Sequence, residues 1–253
     1  MKYYILSKDV EPKVVGVRDG SGQIGVDSRI DKLCNEWHNY IFFELSLKDK
    51  DWWKVWSKHE QYAIKPLEGI IFKKGAKKTD YIGEGLRGFY VNEKLKNILE
   101  SSHLPNHRFI KTPFIEEKTG KLIEEYWRFV YDLDTGEHTV DFKKSEFNFK
   151  YHKRDFGEDF HRDINSYKDY LDVYYETRRG VRANKLVLNE NFDRELDFFK
   201  TMFLSPNMYI SERLLNKMKE AGITGYSVMT LEKDKINSEI LQDIHTELVY
   251  RFY

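Results

Sequence analysis

The densest set of chemically able side chains lies between His152 and Asp163, where two imidazoles, His152 and His161, stand among the carboxylates Asp155, Glu158, Asp159 and Asp163. Imidazole and carboxylate together are ligands for zinc, manganese or ferrous iron. The spacing, however, is not H-E-x-x-H, and no third histidine stands at a recognised interval. Lys153, Arg154 and Arg162 also compete for the same carboxylates. Solvated ion pairing is the plainer account of the run, ahead of a metal centre or acid–base catalysis. The same stretch interleaves charge with the rings of Tyr151, Phe156, Phe160, Tyr167, Tyr170, Tyr174 and Tyr175, and it closes on Arg178, Arg179 and Arg182. Protein interfaces enrich large, fairly rigid rings and arginine, because these bury area while keeping polar contacts. The expected partner-binding residues are therefore Tyr170, Tyr174, Tyr175, Arg178 and Arg179. Asp155, Glu158, Asp159 and Asp163 are placed to speed association with a basic partner. Stacking rings beside arginines also suit RNA, but the adjacent carboxylates favour a protein.

Three further motifs dissolve on inspection. GSGQIG at 20–25 matches G-x-G-x-x-G, and a dinucleotide fold needs a helix after those glycines, then an acidic residue about 20 positions on. Glu44 is near that distance, yet apolar residues after Gly25 are sparse and Asp27 occupies a close-packing position, so a turn is expected. HRDIN at 161–165 places Asn165 too close to Asp163 for a kinase catalytic loop. Cys34 sits beside Ile30, Leu33 and Trp37, where a free thiol behaves as a small hydrophobe. No catalytic, cofactor-binding or metal residue is expected.

The elements that must hold these side chains belong to a chain of 253 residues, 15% of them aromatic, enough for a large core in one or two domains. Only 15 Gly and 5 Pro exclude a collagenous or low-complexity chain. Basic and acidic side chains balance at 42 each, so any nucleic-acid footprint would have to be local. A single cysteine rules out an intrachain disulfide framework and fits a reducing compartment. The start, MKYYILSKDVEPK, lacks an apolar signal core, and the densest apolar stretch, 40–43, falls far short of the ~20 residues of a membrane span.

Alternation predicts strands at 3–6, 14–17, 41–47, 89–91, 126–131 and 185–188, with DTG at 134–136 turning the last-but-one into a hairpin with 139–142. Helical spacing is expected at 30–37, at 193–203, and in a closing helix through Ile236, Ile240, Ile244 and Leu248. A Gly-rich loop is expected over 74–85. Trp52, Trp53 and Trp56 read as core, or else as an exposed recognition patch.

One internal echo stands out. FYVNEKLKNILESSHL and MYISERLLNKMKEAGI run in register 119 positions apart, with Tyr90/Tyr209, Glu93/Glu212, Leu95/Leu214 and Asn97/Asn216 identical. In each copy Asn92 or Ser211 can cap free N–H groups, and a glutamate follows in the first turn, where the helix dipole favours it. Leu95, Ile98 and Leu99, and in turn Leu214, Met218 and Ala221, form a stripe suited to lying on a sheet. Gly222 suits the left-handed position that ends a helix. His103, its equivalent, reads as a terminator or as a functional histidine. Returning strands are expected at 108–110 and 227–229.

The run FLSPNMYISERLLNKMKEAGITGYSVM, with the weaker RGFYVNEKLKNILESSHLPNHRFIKTP before it, resembles a family of bacterial immunity proteins encoded beside polymorphic toxins, formerly described as a domain of unknown function. The likeness is clearest over about residues 185 to 230. It implies a cytoplasmic protein that binds a cognate toxin and neutralises it by occlusion, and it carries no catalytic residues across. The alternative is a hydrolase or nucleotide-handling enzyme. The expected fold is α+β, with mixed sheets and packed helices, compatible with two related lobes that each contain a strand-helix-strand unit. Its segments are 1–80, 81–142, a charged aromatic connector at 143–182, and 183–253. The expected partner is the toxin, not a membrane or a nucleic acid, and no cofactor is expected.

Overall fold

A computed structural model describes residues 2–18, 22–26, 70–85, 88–177, 180–204, 207–230 and 247–250. The chain opens with β1 (Tyr3–Lys8), α1 (Pro12–Val15), β2 (Ile24–Val26), β3 (Ile70–Phe72), β4 (Tyr81–Gly85) and β5 (Gly88–Asn92). It continues through α2 (Glu93–Glu100), β6 (His107–Lys111), β7 (Phe114–Glu116), β8 (Leu122–Ile123) and β9 (Tyr126–Tyr131). Next come β10 (Glu146–Asn148), α3 (Lys150–Phe156), α4 (Tyr167–Thr177), β11 (Arg182–Leu188) and β12 (Phe198–Phe199). After a 3-10 turn at Met202–Leu204 it ends with β13 (Met208–Ser211), α5 (Glu212–Glu220), β14 (Tyr226–Thr230) and β15 (Glu247–Tyr250). The fold is mixed α+β, with several sheets. Among the described residues no helix is long and apolar enough to cross a membrane.

Two four-stranded sheets are laid out alike, one as β4-β5-β9-β6 and the other as β12-β13-β1-β14. In each, a short outer strand pairs with the strand that enters the helix, and the strand leaving the helix returns across a central strand antiparallel to both neighbours. The register agrees to the residue. Tyr126 faces the cap Asn92 as Tyr3 faces the cap Ser211, and Trp127 faces Lys111 as Tyr4 faces Thr230. β9 follows its partner β6 after a short connection, whereas β1 comes from more than 200 positions before β13. β1 pairs within the C-terminal sheet, although its sequence position assigns it to the N-terminal segment.

Both helix starts form as the side-chain chemistry predicts. Asn92 Oδ1 accepts from Leu95 N at 3.1 Å and Ser211 Oγ accepts from Leu214 N at 3.0 Å, satisfying donors the first helical turn leaves open. Each cap also binds the aspartate that precedes its outer strand. Asn92 Nδ2 donates to Asp80 Oδ1 at 2.7 Å, and Ser211 Oγ donates to Asp197 Oδ1. The second oxygen of each aspartate reaches across to the other unit, where Asp80 Oδ2 accepts from Thr224 N at 2.7 Å and Asp197 Oδ2 from His103 N at 2.9 Å. Tyr126 Oη and Tyr3 Oη repeat the theme, donating to Thr79 O and Leu196 O, each the residue before its aspartate. Trp127 Nε1 and Tyr4 Oη donate to the first-turn glutamates Glu93 and Glu212.

The two helices meet in one shared core, where Leu95 and Leu99 join Leu214, Leu215 and Met218 with Phe89, Phe129, Phe198 and Ile210 from both sheets. The outer face of the first sheet, through Tyr90 and Tyr126, is covered by β2-β3-β7-β8 with Ile70, Phe72 and Phe114. The outer face of the second, through Tyr3, Ile5 and Tyr209, is covered by the β10-β11-β15 layer together with α4 and the 3-10 turn.

Several expectations are corrected. The expected strand at 14–17 overlaps α1, because Pro12 presets the first helical φ and Gly16, at φ 77°, closes the turn. The expected loop at 74–85 contains β4, whose Tyr81 and Ile82 are buried. No hairpin joins β9 to 139–142. Val140 makes only an isolated bridge to Leu188, and β9 pairs instead with β5 and β6. The apolar residues at 193–203 form β12 and the 3-10 turn rather than a helix, since Phe198 and Phe199 face different cores. Leu248 lies in β15, parallel to β11, not in a closing helix. The segment at 143–182 is no mere connector: it carries one strand and two helices of the C-terminal core. The elements expected at 30–37 and 41–47, Cys34, Trp52, Trp53, Trp56, Ile236, Ile240 and Ile244 lie outside the described residues.

Candidate recognition cleft

The site grows from an irregularity in the β10–β11 pair. Glu146 faces Lys185 but Phe147 faces Ala183, so Asn184 is the extra residue of a bulge, a device that re-aims side chains at sheet margins. Asn148 Nδ2 donates to Asn184 Oδ1 at 2.8 Å, tying the bulge to the end of β10. The same Asn148 accepts from Lys150 N through Oδ1 at 2.8 Å, which turns the strand directly into α3. Phe149, buried at the junction, anchors that turn in the C-terminal core. Gly157, at φ 104°, ends α3 with its N–H on Lys153 O.

Between α3, the strand ends and the loop after Gly157 lies an open cleft of about 690 Å³. Phe147 and Phe149 supply its apolar lining, and Asn148 and Asn184 its amides. Lys150, Lys153 and Arg154 line it from the helix, with Glu158 and His161 from the loop. The His161 ring meets Phe149 at 5.3 Å, and its Nε2 lies 3.4 Å from Asp163. Phe156, half exposed, stacks beside His152 and Phe160 at the end of the helix.

The predicted residues separate into distinct places. His152 is almost wholly buried, its ring stacked on Phe160 at 5.4 Å and 17°, which makes it part of the aromatic packing. Among the described residues no three His, Cys, Asp or Glu side chains converge as a metal site would need. Tyr170 is corrected from a contact residue to a core residue: it is 2% exposed, packs on Phe203, and burial drives its phenol pKa well above the ordinary range. Tyr174 and Tyr175 stay partly exposed on α4, edge to face at 5.9 Å. Asp155 pairs with Arg154 at 2.9 Å, Glu158 lines the cleft, and Asp159 and Asp163 are exposed on the loop. Arg178 and Arg179 lie outside the described residues. His103 does not end α2. The helix stops at Ser101, and His103 instead shares a 2.6 Å hydrogen bond with Asp193, which lowers that carboxyl's pKa. The residues after Gly22 enter β2, whereas a dinucleotide loop would enter a helix.

No family model and no curated protein matches this chain. The cleft must therefore be read from its own chemistry. That chemistry is a row of cations on one short helix, paired amides at a bulge, and an acidic loop opposite. Sequence reasoning singled out Glu158 and His161 but passed over Phe147, Phe149, Lys150, Asn148 and Asn184. Lys153 and Arg154 entered it only as competitors for carboxylates. The asparagine that precedes Lys150 was the available signal, since Asn side chains favour turns that start helices.

Proposed function

We propose that this chain is an immunity protein of the cytoplasm, which binds a cognate bacterial toxin and neutralises it by occluding its working surface, without catalysis of its own. The observation that carries the reading is where the polar residues of the signature SERLLNKMKEAGITG are spent. Ser211 caps α5, Arg213 holds Asp197 at 2.8 Å, Gly222 and Gly225 take positive φ, and Thr224 clasps Asp80. A motif consumed by scaffolding fits a protein whose activity resides in an outward surface. The surface best suited is the outer C-terminal layer, where exposed Phe156 adjoins Asp155, Glu158, Asp159 and Asp163, and where Tyr174 and Tyr175 remain partly accessible. The same reading takes the two similar sheets as products of a duplication in which the first strands, β1 and β9, were exchanged between copies. The matched register and the reciprocal aspartate bonds support it.

The test is to read the neighbouring genes for a large secreted protein with a variable C-terminal domain and to co-express that domain with this chain. Restored growth and a stable complex in solution are expected. Undiminished toxicity, with no complex formed, overturns the reading.

A further inference from the structure

We propose that the cleft beneath α3 receives an extended acidic segment of the protein partner; this deepens, and rests on, the toxin-binding reading above. Charge is the first support. Lys150, Lys153 and Arg154 face the cleft from a single helix, and among the described residues Glu158 is the one carboxylate in its lining. Lys153 has no ion-pair partner among the described residues, and the Arg154–Asp155 pair is an exposed contact of the kind worth little by itself. A carboxylate entering here exchanges water for charge-assisted hydrogen bonds, which are stronger than neutral ones.

Shape is the second support. β10 is the outer strand of its sheet, and among the described residues no strand pairs with its other side. Phe147, Asn148 and Phe149 run along the cleft, so an extended chain can lie beside them as an added strand does, main chain on main chain. Among the described residues no bond occupies the Asn184 amide nitrogen, which leaves a donor for a peptide carbonyl.

A peptide fits better than a nucleic acid. Asp155 beside Arg154 and Glu158 in the lining repel a continuous string of phosphates, whereas a peptide can place one or two carboxylates over Lys153 and Arg154 and turn neutral residues to the acids.

The experiment has two arms on the full chain. In the first, a fluorescein-labelled oligo-glutamate peptide and its oligo-glutamine counterpart are titrated at low salt. The glutamate peptide is expected to bind at least about tenfold tighter, with the advantage lost in Lys153→Glu/Arg154→Glu. In the second, the toxin domain is titrated, and its affinity is expected to fall at least about thirtyfold in that variant and less in Lys153→Ala/Arg154→Ala, with thermal unfolding of both unchanged. Equal binding of the two peptides, or unchanged toxin affinity in both variants, overturns the cleft assignment while wild-type toxin binding keeps the immunity reading. A wild-type chain that ignores the toxin domain overturns both. A single-stranded oligonucleotide that binds more tightly than the peptide, and loses its grip in the same variant, overturns the assignment in favour of nucleic acid.

Discussion

At the scale of residues, the molecule spends its most constrained polar groups on joining its two halves. Asp80 and Asp197 each hold a cap in their own unit and a backbone N–H of the other, so one side chain fixes a helix start and an inter-unit contact together. Burial works to raise both carboxyl pKa values. Hydrogen bonds from Thr224 and Asn92 to Asp80, and from Arg213 and Ser211 to Asp197, outweigh it and hold both below the ordinary aspartate range. A carboxyl with a folded pKa below its unfolded one contributes stability that is complete above the unfolded value, near pH ~4, and is lost as pH falls through the folded value. Acid unfolding followed by circular dichroism is therefore expected to steepen below about pH 4, and Asp80→Asn/Asp197→Asn is expected to flatten that dependence. Replacing Ser211 by Ala removes a cap and takes a hydroxyl donor from the Asp197 Oδ1 acceptor, which keeps Arg213 Nε. It is expected to cost about 1–2 kcal/mol in urea titrations, and Asn92→Ala, which is less buried, about 0.5–1 kcal/mol.

At the scale of elements, the amphipathic stripes of α2 and α5 were readable, while that of α4, whose buried positions are Tyr167, Tyr170, Val173 and Thr177, was not. Leu214 is fully buried between α5 and both sheets, so Leu214→Ala is expected to cost about 2–5 kcal/mol. The turn after α5 separates two uses of glycine. Gly222 has φ 61° and open space where a Cβ would stand, while Gly225, at φ 89°, would put that Cβ 2.2 Å from Tyr81 O. Gly222→Ala is therefore expected to cost about 1 kcal/mol through conformation alone. Gly225→Ala is expected to lower the thermal midpoint further, because β4 must move away from β14. Elements that pattern mistook were those with apolar residues on both faces. β12 presents Phe198 to one core and Phe199 to another, and over so few residues no period distinguishes such a strand from a helix.

At the scale of the whole molecule, β1 ties the start of the chain into the C-terminal sheet. Removing residues 1–8 takes the middle strand from β12-β13-β1-β14 and leaves β4-β5-β9-β6 with its own. Hydrogen exchange on that truncation is expected to lose protection first at 208–211 and 226–230, while 126–131 stays protected. Uniform loss of protection in both sheets would instead mean that the shared core, not the strand, sets the unit of cooperativity. The cleft sits on the outermost layer, away from the shared core, so substitutions at Lys153 and Arg154 are separable from stability.

What the sequence determined by itself was local. The caps at Asn92 and Ser211, the leucine stripes, the Gly222 turn and the returning strands each depend on residues a few positions apart, where hydrogen bonding and periodicity act directly on the chain. The acidic and aromatic composition of the C-terminal surface was equally plain. Tertiary structure decided which of those rings are buried, and it sent Tyr170 and His152 inward while Phe156 stayed out. It also decided that β1 completes the sheet more than 200 positions away, that Asp80 and Asp197 answer each other across the two units, and that a bulge sets Asn184 beside Asn148 and the cations of α3. Each of these depends on pairings between distant strands, whose cost in chain entropy is recovered only when the whole core closes, and no window of neighbouring residues records that balance.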